Sequence, residues 1–391
     1  MTTDTRRSLG RTSLAILALG TFALGIDGYV LSGLLPQVAS SLHVSQSTAG
    51  QLTTLFALVY AVGSPVIATV AGRWDRRVLL AAGMTVFVAG VILQAVGPIF
   101  VLVAIGRVVA ALGAAGYQAT AYSTAGILSD DKHRASALAV VAAGSSVALI
   151  AGLPFGILVG QALGWRATMW ILVCLGVISI AAVWLLPSAH APKLSLRARA
   201  GALTDRRVLK VLAGTVVVLT PGFLVIAYLP AILNTGGPLV VVTILGYGIG
   251  QVCGTATAPK LINRYGPRTS LVVGAVGVTV ASAGLILTRT TLVPAVITMA
   301  VLGLSVGLTV VPQQHRLFAT VPELAPVAVG LNGSAIYIAS AVGAGIGGIA
   351  IAGGAETATM ASAIIGVLAI ALAMFLAPER GRARRDAQPS T

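Results

Sequence analysis

The sequence predicts an all-α membrane protein with twelve transmembrane helices, arranged as two six-helix bundles that repeat one pattern. Three observations lead to this fold class. Of the 391 residues, 57% are hydrophobic and only 9% are charged, whereas soluble proteins carry about 25% charged residues, so lipid must cover most of the chain. Apolar segments long enough to cross a bilayer occur twelve times. Similar sequence features recur at matching places in the two halves.

The apolar segments follow one another with short connections. A window of about 20 residues places them at 14–36, 49–71, 78–97, 99–127, 136–162, 167–187, 208–233, 239–261, 269–288, 291–315, 327–350 and 354–377. The one long connection is basic and divides six segments from six. We therefore expect an N-terminal bundle at 1–187, a cytoplasmic linker at 188–207 and a C-terminal bundle with a basic tail at 208–391.

The placement of the basic residues predicts the orientation. With the N-terminus inside, nearly all of the 25 Lys and Arg residues fall in inner connections; Arg166 and Arg289 lie outside, and Arg107 lies within a segment. The positive-inside rule then puts both termini in the cytoplasm. We attribute the net charge of +15 to topology and anionic headgroups rather than to nucleic acid.

No sequence pattern indicates an enzyme, a cofactor or a metal site. The two cysteines, Cys174 and Cys253, both fall inside apolar segments and are far apart. The chain contains no Walker motif, no HExxH, no GxSxG and no cluster with metal-ligand spacing. Enzymatic chemistry is therefore unsupported.

The two halves echo each other in sequence. The connection after segment 2 reads GRWDRRVLL (72–80) and the one after segment 8 reads INRYGPRTSL (262–271). Segments 5 and 11 are both rich in small residues. Two six-helix halves related as parallel repeats are a known transporter architecture, in which substrate binds near the midplane between them.

Segment 1 carries Asp27, the only carboxylate that we place at hydrocarbon depth, where it is costly without a cavity or a partner. It lies nine residues before Pro36, and Arg107 lies nine residues after Pro98, so both are about 13 Å below the outer end. Burial and a guanidinium act on a carboxylate in opposite directions, and their balance suits proton coupling. The alternative is a static buried pair that only fixes helix packing.

No Asp, Glu, Lys or Arg lies deep in segments 7–12, so a proton site must belong to the first half. The helices expected to line a cavity carry aromatic rings and a few polar groups. Such a lining suits a lipophilic ligand, neutral or cationic. Ordinary packing is the alternative for many of them. These substrate-binding candidates are Tyr29, Tyr117, Gln118, Tyr122, Phe223, Tyr228, Tyr247, Gln251, Asn332 and Tyr337.

Two further patterns are candidates for gating. Charges cluster after segments 2 and 4, either as a topology signal or as an ion-pair latch that holds one conformation: they are Asp75, Arg76, Arg77, Asp130, Asp131 and Arg134. Segment 5 repeats glycine every fourth residue at Gly152, Gly156, Gly160 and Gly164, with Pro154 between. A helix face made of glycines allows a neighbouring helix to pack closely. The alternative is that this part of the segment forms a hinge or a seal between the halves.

Four stretches together resemble the major facilitator superfamily, and within it the drug:proton antiporter-1 subgroup of chloramphenicol-type drug exporters and sugar-efflux permeases. They are FALGIDGYVLSGLLP in segment 1, AGRWDRRVLL after segment 2, GRVVAALGAAG in segment 4 and AGLPFGILVGQALGWR in segment 5. The resemblance covers about residues 12–378. The loop after segment 2 lacks the usual glycine after Asp-Arg, and segment 5 reads Gly-Leu-Pro rather than Gly-Pro.

The resemblance implies the major facilitator fold and assigns roles to residues. Asp27 would be the protonatable residue and Arg107 the motif-B arginine of segment 4. Asp75 and Arg76 would belong to the gating loop, and Gly152, Pro154 and Gly156 to the antiporter motif. We expect a bacterial inner-membrane protein that is a monomer.

We therefore expect a proton-coupled secondary transporter that exports small amphiphilic compounds, such as drugs, by alternating access. Its partners would be a small-molecule substrate, protons and the lipid bilayer, without nucleic acid, cofactor or metal. One alternative is a sugar or metabolite efflux permease, which Gln118, Gln251 and Asn332 favour. Another is a non-transporting receptor or scaffold on the same fold, which the near absence of loops disfavours.

Overall fold

The computed structural model describes residues 10–70, 74–129, 134–188, 205–234, 238–320 and 325–376. Within these residues, twelve helices are long and apolar enough to cross a membrane, which confirms the predicted fold class. Most of the predicted linker (189–204) and the basic tail (from 377) lie outside the described residues.

The helices follow the predicted segments closely. They are α1 (Arg11–Gly33), α2 (Gln46–Val70), α3 (Arg76–Val96), α4 (Phe100–Leu128), α5 (Arg134–Val147, a π-helical turn at Ala148–Gly152, and Leu153–Leu163), α6 (Trp165–Val183), α7 (Arg206–Ala227), α8 (Pro238–Tyr265), α9 (Pro267–Thr288), α10 (Leu292–Thr320), α11 (Ala325–Ala352) and α12 (Ala355–Leu376). We call the end where α1 connects to α2 the predicted outer end. The opposite end is the predicted inner end.

The first helix of each half stops earlier than the sequence predicted. Segment 1 was expected to run through Pro36, but α1 ends at Gly33 and a short helix, Leu35–Ser41, follows a break. In the second half α7 likewise ends at Ala227, before a short helix that contains Pro230. Proline lacks the N–H that would continue the helical hydrogen bonds, so it favours the start of a new helix over the interior of an old one.

The two bundles repeat the same packing pattern. In the N-terminal half α1 packs on α5 and α6, and α3 packs on α4 and α6. In the C-terminal half α7 packs on α11 and α12, and α9 packs on α10 and α12, which are the equivalent pairs six helices later. The halves meet through α2 against α11 and α5 against α8. These two contacts are also equivalent to each other, as a two-fold relation between the halves requires.

The halves are joined at the predicted outer end. The Ser47 hydroxyl donates to the Gly348 carbonyl at 2.5 Å, and Tyr228 lies buried against Gly50 and Gly348. Toward the other end, residues 252–260 of α8 are exposed except for the stripe that faces α10. Among the described residues, the halves are therefore in contact at the predicted outer end, and the inner end of α8 is largely exposed.

Candidate functional site

A buried ion pair lies beside the plane where the halves meet. Asp27 of α1 and Arg107 of α4 both have no exposed area, and Nη1 of Arg107 lies 2.9 Å from Oδ2 of Asp27. The same nitrogen donates to the Asp27 carbonyl at 3.3 Å, and Nε donates to the Leu52 carbonyl of α2 at 3.4 Å. The guanidinium thus connects three helices of the N-terminal half through one carboxylate and two carbonyls.

Each partner of this pair keeps one polar atom without a hydrogen bond among the described residues. These atoms are Oδ1 of Asp27 and Nη2 of Arg107. Buried charged groups are normally satisfied, because leaving a polar atom unpaired in a low-dielectric interior is costly. Oδ1 is therefore able to take a proton while Oδ2 stays bonded to Arg107. A polar group of a ligand could pair with Nη2 at the same site.

Three aromatic rings cover the ion pair and reach across to the other half. The Arg107 guanidinium lies 4.3 Å from the ring centre of Phe56 in α2. Tyr60, one turn further along α2, stacks on Tyr337 of α11 with ring centres 3.6 Å apart. Phe56 lies 6.5 Å from the same Tyr337 ring. The charged pair in the first half is thus linked to the second half through aromatic side chains.

Several of the predicted substrate residues lie near the ion pair and the three aromatic rings that cover it. Tyr29 and Tyr122 are half-buried, and both lie near Tyr337. Tyr247 of α8 lies near Tyr29 of α1, across the two halves. We call the hydroxyl-bearing set the tyrosine cluster: Tyr29, Tyr60, Tyr122, Tyr247 and Tyr337.

Two of the three predicted amides lie on helices that carry tyrosines of the cluster. Gln118 of α4 and Gln251 of α8 are both half-buried. Each lies four residues from one of those tyrosines, since Gln118 precedes Tyr122 and Gln251 follows Tyr247. Residues four apart share one face of a helix. Both amides are therefore placed on the helix faces that also carry Tyr122 and Tyr247.

Other predicted substrate residues lie elsewhere. Tyr117 packs inside the N-terminal half, where its ring fills the space next to Gly20 and its hydroxyl donates to the Ile16 carbonyl at 3.4 Å. Asn332 is fully buried, and its Oδ1 accepts a hydrogen bond from the Thr215 hydroxyl at 2.8 Å.

Two more of them lie in contacts between helices. Phe223 of α7 is buried beside Gly343 of α11, and Tyr228 belongs to the outer closure described above. Sequence position placed Tyr117, Phe223 and Asn332 on the right helices, whereas Tyr228 lies at the break that follows α7. The sequence did not show which side of each helix these residues occupy.

Phe56 and Tyr60 were missed as site residues. They are spaced i and i+4 on α2, which places them on one face of the helix. That spacing of two aromatic residues in an interface helix is the signal that would have found them. Their contact with Tyr337 depends on how α2 docks on α11, and no local pattern encodes it.

The predicted charge cluster at the inner end is only partly described. Asp75 caps α3, because its Oδ1 accepts from the Arg77 amide at 2.8 Å, and it also accepts a hydrogen bond from Ser188 after α6. Arg76 is buried. Asp130 and Asp131 lie outside the described residues, as does the side chain of Arg134, which begins α5. The latch and the topology signal both remain predictions.

The sequence DRRVL occurs twice, at 75–79 and at 205–209. Asp205 caps α7 as Asp75 caps α3: its Oδ1 accepts from the Arg207 amide at 2.7 Å, and its Oδ2 lies 3.0 Å from the Arg207 guanidinium. The Arg207 hydrogen bond to this carboxylate holds the pKa of Asp205 below its usual value. The repeat starts two helices that are not equivalent in the two halves.

The glycine face of α5 packs on α1 of the same half. A Cβ added at Gly152 would lie 2.6 Å from Ile26, and one added at Gly160 would lie 2.4 Å from Leu34. Gly156 faces Val30 in between, and Pro154 follows the π-helical turn. The turn itself touches the other half, because Leu149 lies against Gly248 of α8. Packing therefore accounts for these glycines, and a hinge is a prediction for the turn alone.

Among the described residues, no group of three His, Cys, Asp or Glu side chains could hold a metal ion. The cysteines Cys174 and Cys253 are free thiols. The one fully buried carboxylate of the described helices is Asp27, which is paired with Arg107.

Known proteins resemble the chain over most of its length. The family model of the Major Facilitator Superfamily matches residues 17–344. The chain is 30% identical to the MFS-type transporter YbcL of Bacillus subtilis over 367 residues, which are 92% of this chain and 93% of that protein. It is 34% identical to a chloramphenicol resistance protein of Streptomyces lividans over 271 residues, 67% of this chain and 69% of that one.

Solved structures share the fold at low sequence identity. A bacterial homolog of the human lysosomal transporter Spinster, in an inward-facing and unoccupied conformation, superposes with a TM-score of 0.72 at 17% identity, covering 96% of this chain and 98% of that one. A point mutant of the nucleoside transporter NupG gives a TM-score of 0.74 at 13% identity over 94% and 100% of the two chains.

Proposed function

The chain belongs to the major facilitator superfamily, and from that premise we propose that it exports small amphiphilic compounds in exchange for protons. It is a multi-pass membrane transporter rather than an enzyme. We place it in a bacterial inner membrane with both termini in the cytoplasm, in keeping with the distribution of its basic residues. The similarity to a chloramphenicol resistance protein supports export of a drug-like molecule.

The buried Asp27–Arg107 pair is the observation that carries this proposal. Asp27 is the one fully buried carboxylate among the described residues, and its Oδ1 has no hydrogen-bond partner there. A buried ionisable group inside a transmembrane bundle is a candidate proton carrier, because its cost must be offset by a function. Arg107 stays charged at all working pH values, so the proton resides on Asp27.

Protonation of Asp27 would act on the contact between the halves. A proton on the carboxylate weakens its hold on the Arg107 guanidinium, which also lies over Phe56. Phe56 and Tyr60 touch Tyr337 of the other half. A change in charge at Asp27 thus reaches the interface through two side-chain contacts. A conformational change needs a differential interaction of this kind between its two states.

The cycle follows from the closed outer end. In the conformation seen here, substrate reaches the site from the predicted inner side and competes with the proton on Asp27. Rearrangement of the two bundles then opens the outer side, where substrate leaves and Asp27 takes up a proton. Protonated Asp27 allows the return. Protons carried inward in this way drive export.

The test is transport by purified protein in liposomes with an imposed pH gradient. We expect native protein to accumulate chloramphenicol against its concentration gradient, and Asp27→Asn to lose this uphill transport while keeping exchange of substrate at equilibrium. Asn has nearly the size of Asp but cannot titrate in this range. The matched control is Asp205→Asn, which exchanges the same residue type at a helix cap outside the bundle core.

Gradient-driven transport that survives intact in Asp27→Asn would contradict the assignment of the proton site. Loss of transport in Asp205→Asn to the same degree would show that the effect is not specific to the buried carboxylate. Uptake of sugars with no uptake of chloramphenicol would favour the sugar or metabolite permease instead.

A further inference from the structure

The carboxylates of the described residues are all neutralised by arginine. The chain has ten Asp and Glu residues, of which four lie in the described part. Each of the four forms an ion pair: Asp27–Arg107 at 2.9 Å, Asp75–Arg77 at 3.9 Å, Asp205–Arg207 at 3.0 Å and Glu356–Arg289 at 2.8 Å. The described residues therefore offer no carboxylate that a positively charged substrate would find without a cation already bound.

The charge at the proposed binding site is never negative. With Asp27 ionised, the pair Asp27–Arg107 sums to zero. With Asp27 protonated, Arg107 leaves a charge of plus one. A permanent cation bound there gains no net attraction in the first state and is repelled in the second. An uncharged molecule is not repelled in either state, so its net charge opposes binding in neither.

Three aromatic rings at the site already have a partner. Cation–π binding needs an open ring face, but the Phe56 ring already holds the Arg107 guanidinium. Tyr60 and Tyr337 stack on each other with ring centres 3.6 Å apart. The half-buried Tyr29 and Tyr122 carry hydroxyl groups, which suit an uncharged aromatic molecule that carries hydrogen-bonding atoms.

Basic side chains also line the open end of the C-terminal half. A recess of about 320 Å³ at the inner end of α8 is lined by Lys260, Arg264, Tyr265 and Leu308, among others. Here too the cation–π position is taken, because the Arg264 guanidinium lies 5.1 Å from the Tyr265 ring centre. The positive potential of such a recess lowers the local concentration of cations.

We propose that this transporter selects uncharged aromatic substrates and rejects permanent organic cations, because the one buried carboxylate of the described residues is already paired with Arg107 and the Phe56, Tyr60 and Tyr337 rings already have partners. This inference rests on the proposed export function and names the substrate class of the same site. The discrimination is by charge, so two molecules of the same size and shape should be separated.

A matched pair of fluorescent three-ring compounds tests this selection by charge. N-methylacridone is uncharged and N-methylacridinium is a permanent cation, and both carry the same three fused rings. Uptake is measured in liposomes with a pH gradient and with the membrane potential clamped to zero, so that the potential does not drive the cation. We expect native protein to transport N-methylacridone at least about tenfold faster, as a difference of about 1.4 kcal/mol would give.

A gain-of-function variant tests the physical cause. Gln118 lies eleven residues after Arg107 on α4, about 16 Å along the helix, too far for that arginine to neutralise it. Gln118→Glu changes charge with little change in size and supplies a carboxylate that is not paired in advance. We expect it to gain transport of N-methylacridinium, and thermal unfolding in detergent beside native protein shows whether the variant is folded.

The outcomes separate the two proposals. Equal transport of both rings by native protein would contradict the charge selection and leave the export function standing. Transport of neither ring, nor of chloramphenicol, would contradict the export function on which the inference rests. A folded Gln118→Glu that still rejects the cation would overturn the explanation by unpaired charge.

Discussion

In the first half, Asp27 lies eight residues before the Leu35–Pro36 pair that follows α1. In the second half, Pro221 lies eight residues before the Leu229–Pro230 pair that follows α7. On the next equivalent pair of helices, Arg107 and Met299 are each the eighth residue, of α4 and of α10. The second half thus has a proline and a methionine where the first half has a buried ion pair.

The helix pattern is shared by the halves and the charge pattern is not. All four of these residues are buried, so the difference is one of chemistry rather than of exposure. An apolar pair serves packing as well as an ion pair does, and often at lower cost. We therefore propose that the first half keeps its charges for something other than stability. On that proposal the coupling chemistry belongs to one half, and the other half supplies Tyr337 as the surface on which it acts.

The largest expected effect is on the ion pair itself. Arg107→Met copies the residue of the second half and leaves Asp27 buried without its partner, which should cost about 3–5 kcal/mol of stability. Adding Asp27→Asn to Arg107→Met should restore most of that stability and none of the gradient-driven transport. Thermal unfolding in detergent and liposome uptake measure the two effects separately.

Met299→Leu is the matched change in the second half and should cost less than about 1.5 kcal/mol, with transport kept. If Arg107→Met were no more damaging than Met299→Leu, the contrast between the halves would have no energetic basis.

The next effect concerns glycines that bring helix backbones together. A Cβ on Gly113 of α4 would lie 2.2 Å from the Phe87 nitrogen in α3, and one on Gly303 of α10 would lie 2.0 Å from the Tyr247 carbonyl in α8. Backbone atoms cannot move aside as side chains do, so Gly113→Ala and Gly303→Ala should each cost about 1–3 kcal/mol. The helix α8 also contacts the opposite half, so only Gly303→Ala should slow transport at a temperature where both variants are folded.

Gly333→Ala provides the control for these two substitutions. Nothing lies within 4 Å of a Cβ added at Gly333 of α11. Alanine there should be neutral or stabilise the helix by up to about 1 kcal/mol. A loss of stability in Gly333→Ala as large as that in Gly303→Ala would contradict the close-approach explanation.

A smaller effect is expected from the stack that joins the halves. Tyr60→Ala, Tyr337→Ala and the double variant form a cycle whose coupling should be about 0.5–1.5 kcal/mol, the range for aromatic pairs beyond their area burial. The coupling should appear in thermal unfolding of the full chain. Additive losses in the double variant would show that the two rings do not interact as described.

The smallest effect separates the two copies of DRRVL. Both aspartates cap a helix, but Asp75 also binds Ser188, so Asp75→Asn should lower the melting temperature more than Asp205→Asn. The folded-state pKa of Asp205 is below its usual value. The stabilisation is thus present above the unfolded-state pKa and is lost as pH falls through the folded-state pKa.

Melting curves of native protein and Asp205→Asn, measured over that acidic range, should converge as the pH falls. Curves that stay equally far apart at every pH would contradict an ionised cap at Asp205.

Much of the fold follows from the sequence for physical reasons. Helices in lipid must satisfy their own backbone hydrogen bonds, so long apolar runs predict spans directly. The sequence paired Asp27 with Arg107 by their depth alone. Segment 1 ends and segment 4 begins at the same membrane surface, and the two residues lie equally far below it. The helix breaks at Leu34 and Tyr228 were missed, although Pro36 and Pro230 signal them.

The site was less predictable where it depends on docking. Tyr117 and Tyr122 lie on the same helix, yet the first packs in the bundle core and the second is half-buried near Tyr337. Composition cannot separate two such tyrosines, because the side of the helix that faces the other half is set by tertiary packing. For the same reason, the sequence did not predict the contact of Phe56 and Tyr60 with the second half.

Proton release on substrate binding tests the central claim most directly. Chloramphenicol is added to purified protein in weakly buffered detergent solution that contains a pH indicator, near the pH at which Asp27 is protonated in part. If substrate and proton compete at Asp27, native protein should release protons on binding, and Asp27→Asn should bind substrate without releasing any. Equal proton release from both proteins, or binding by native protein with no release at any pH, would contradict the account.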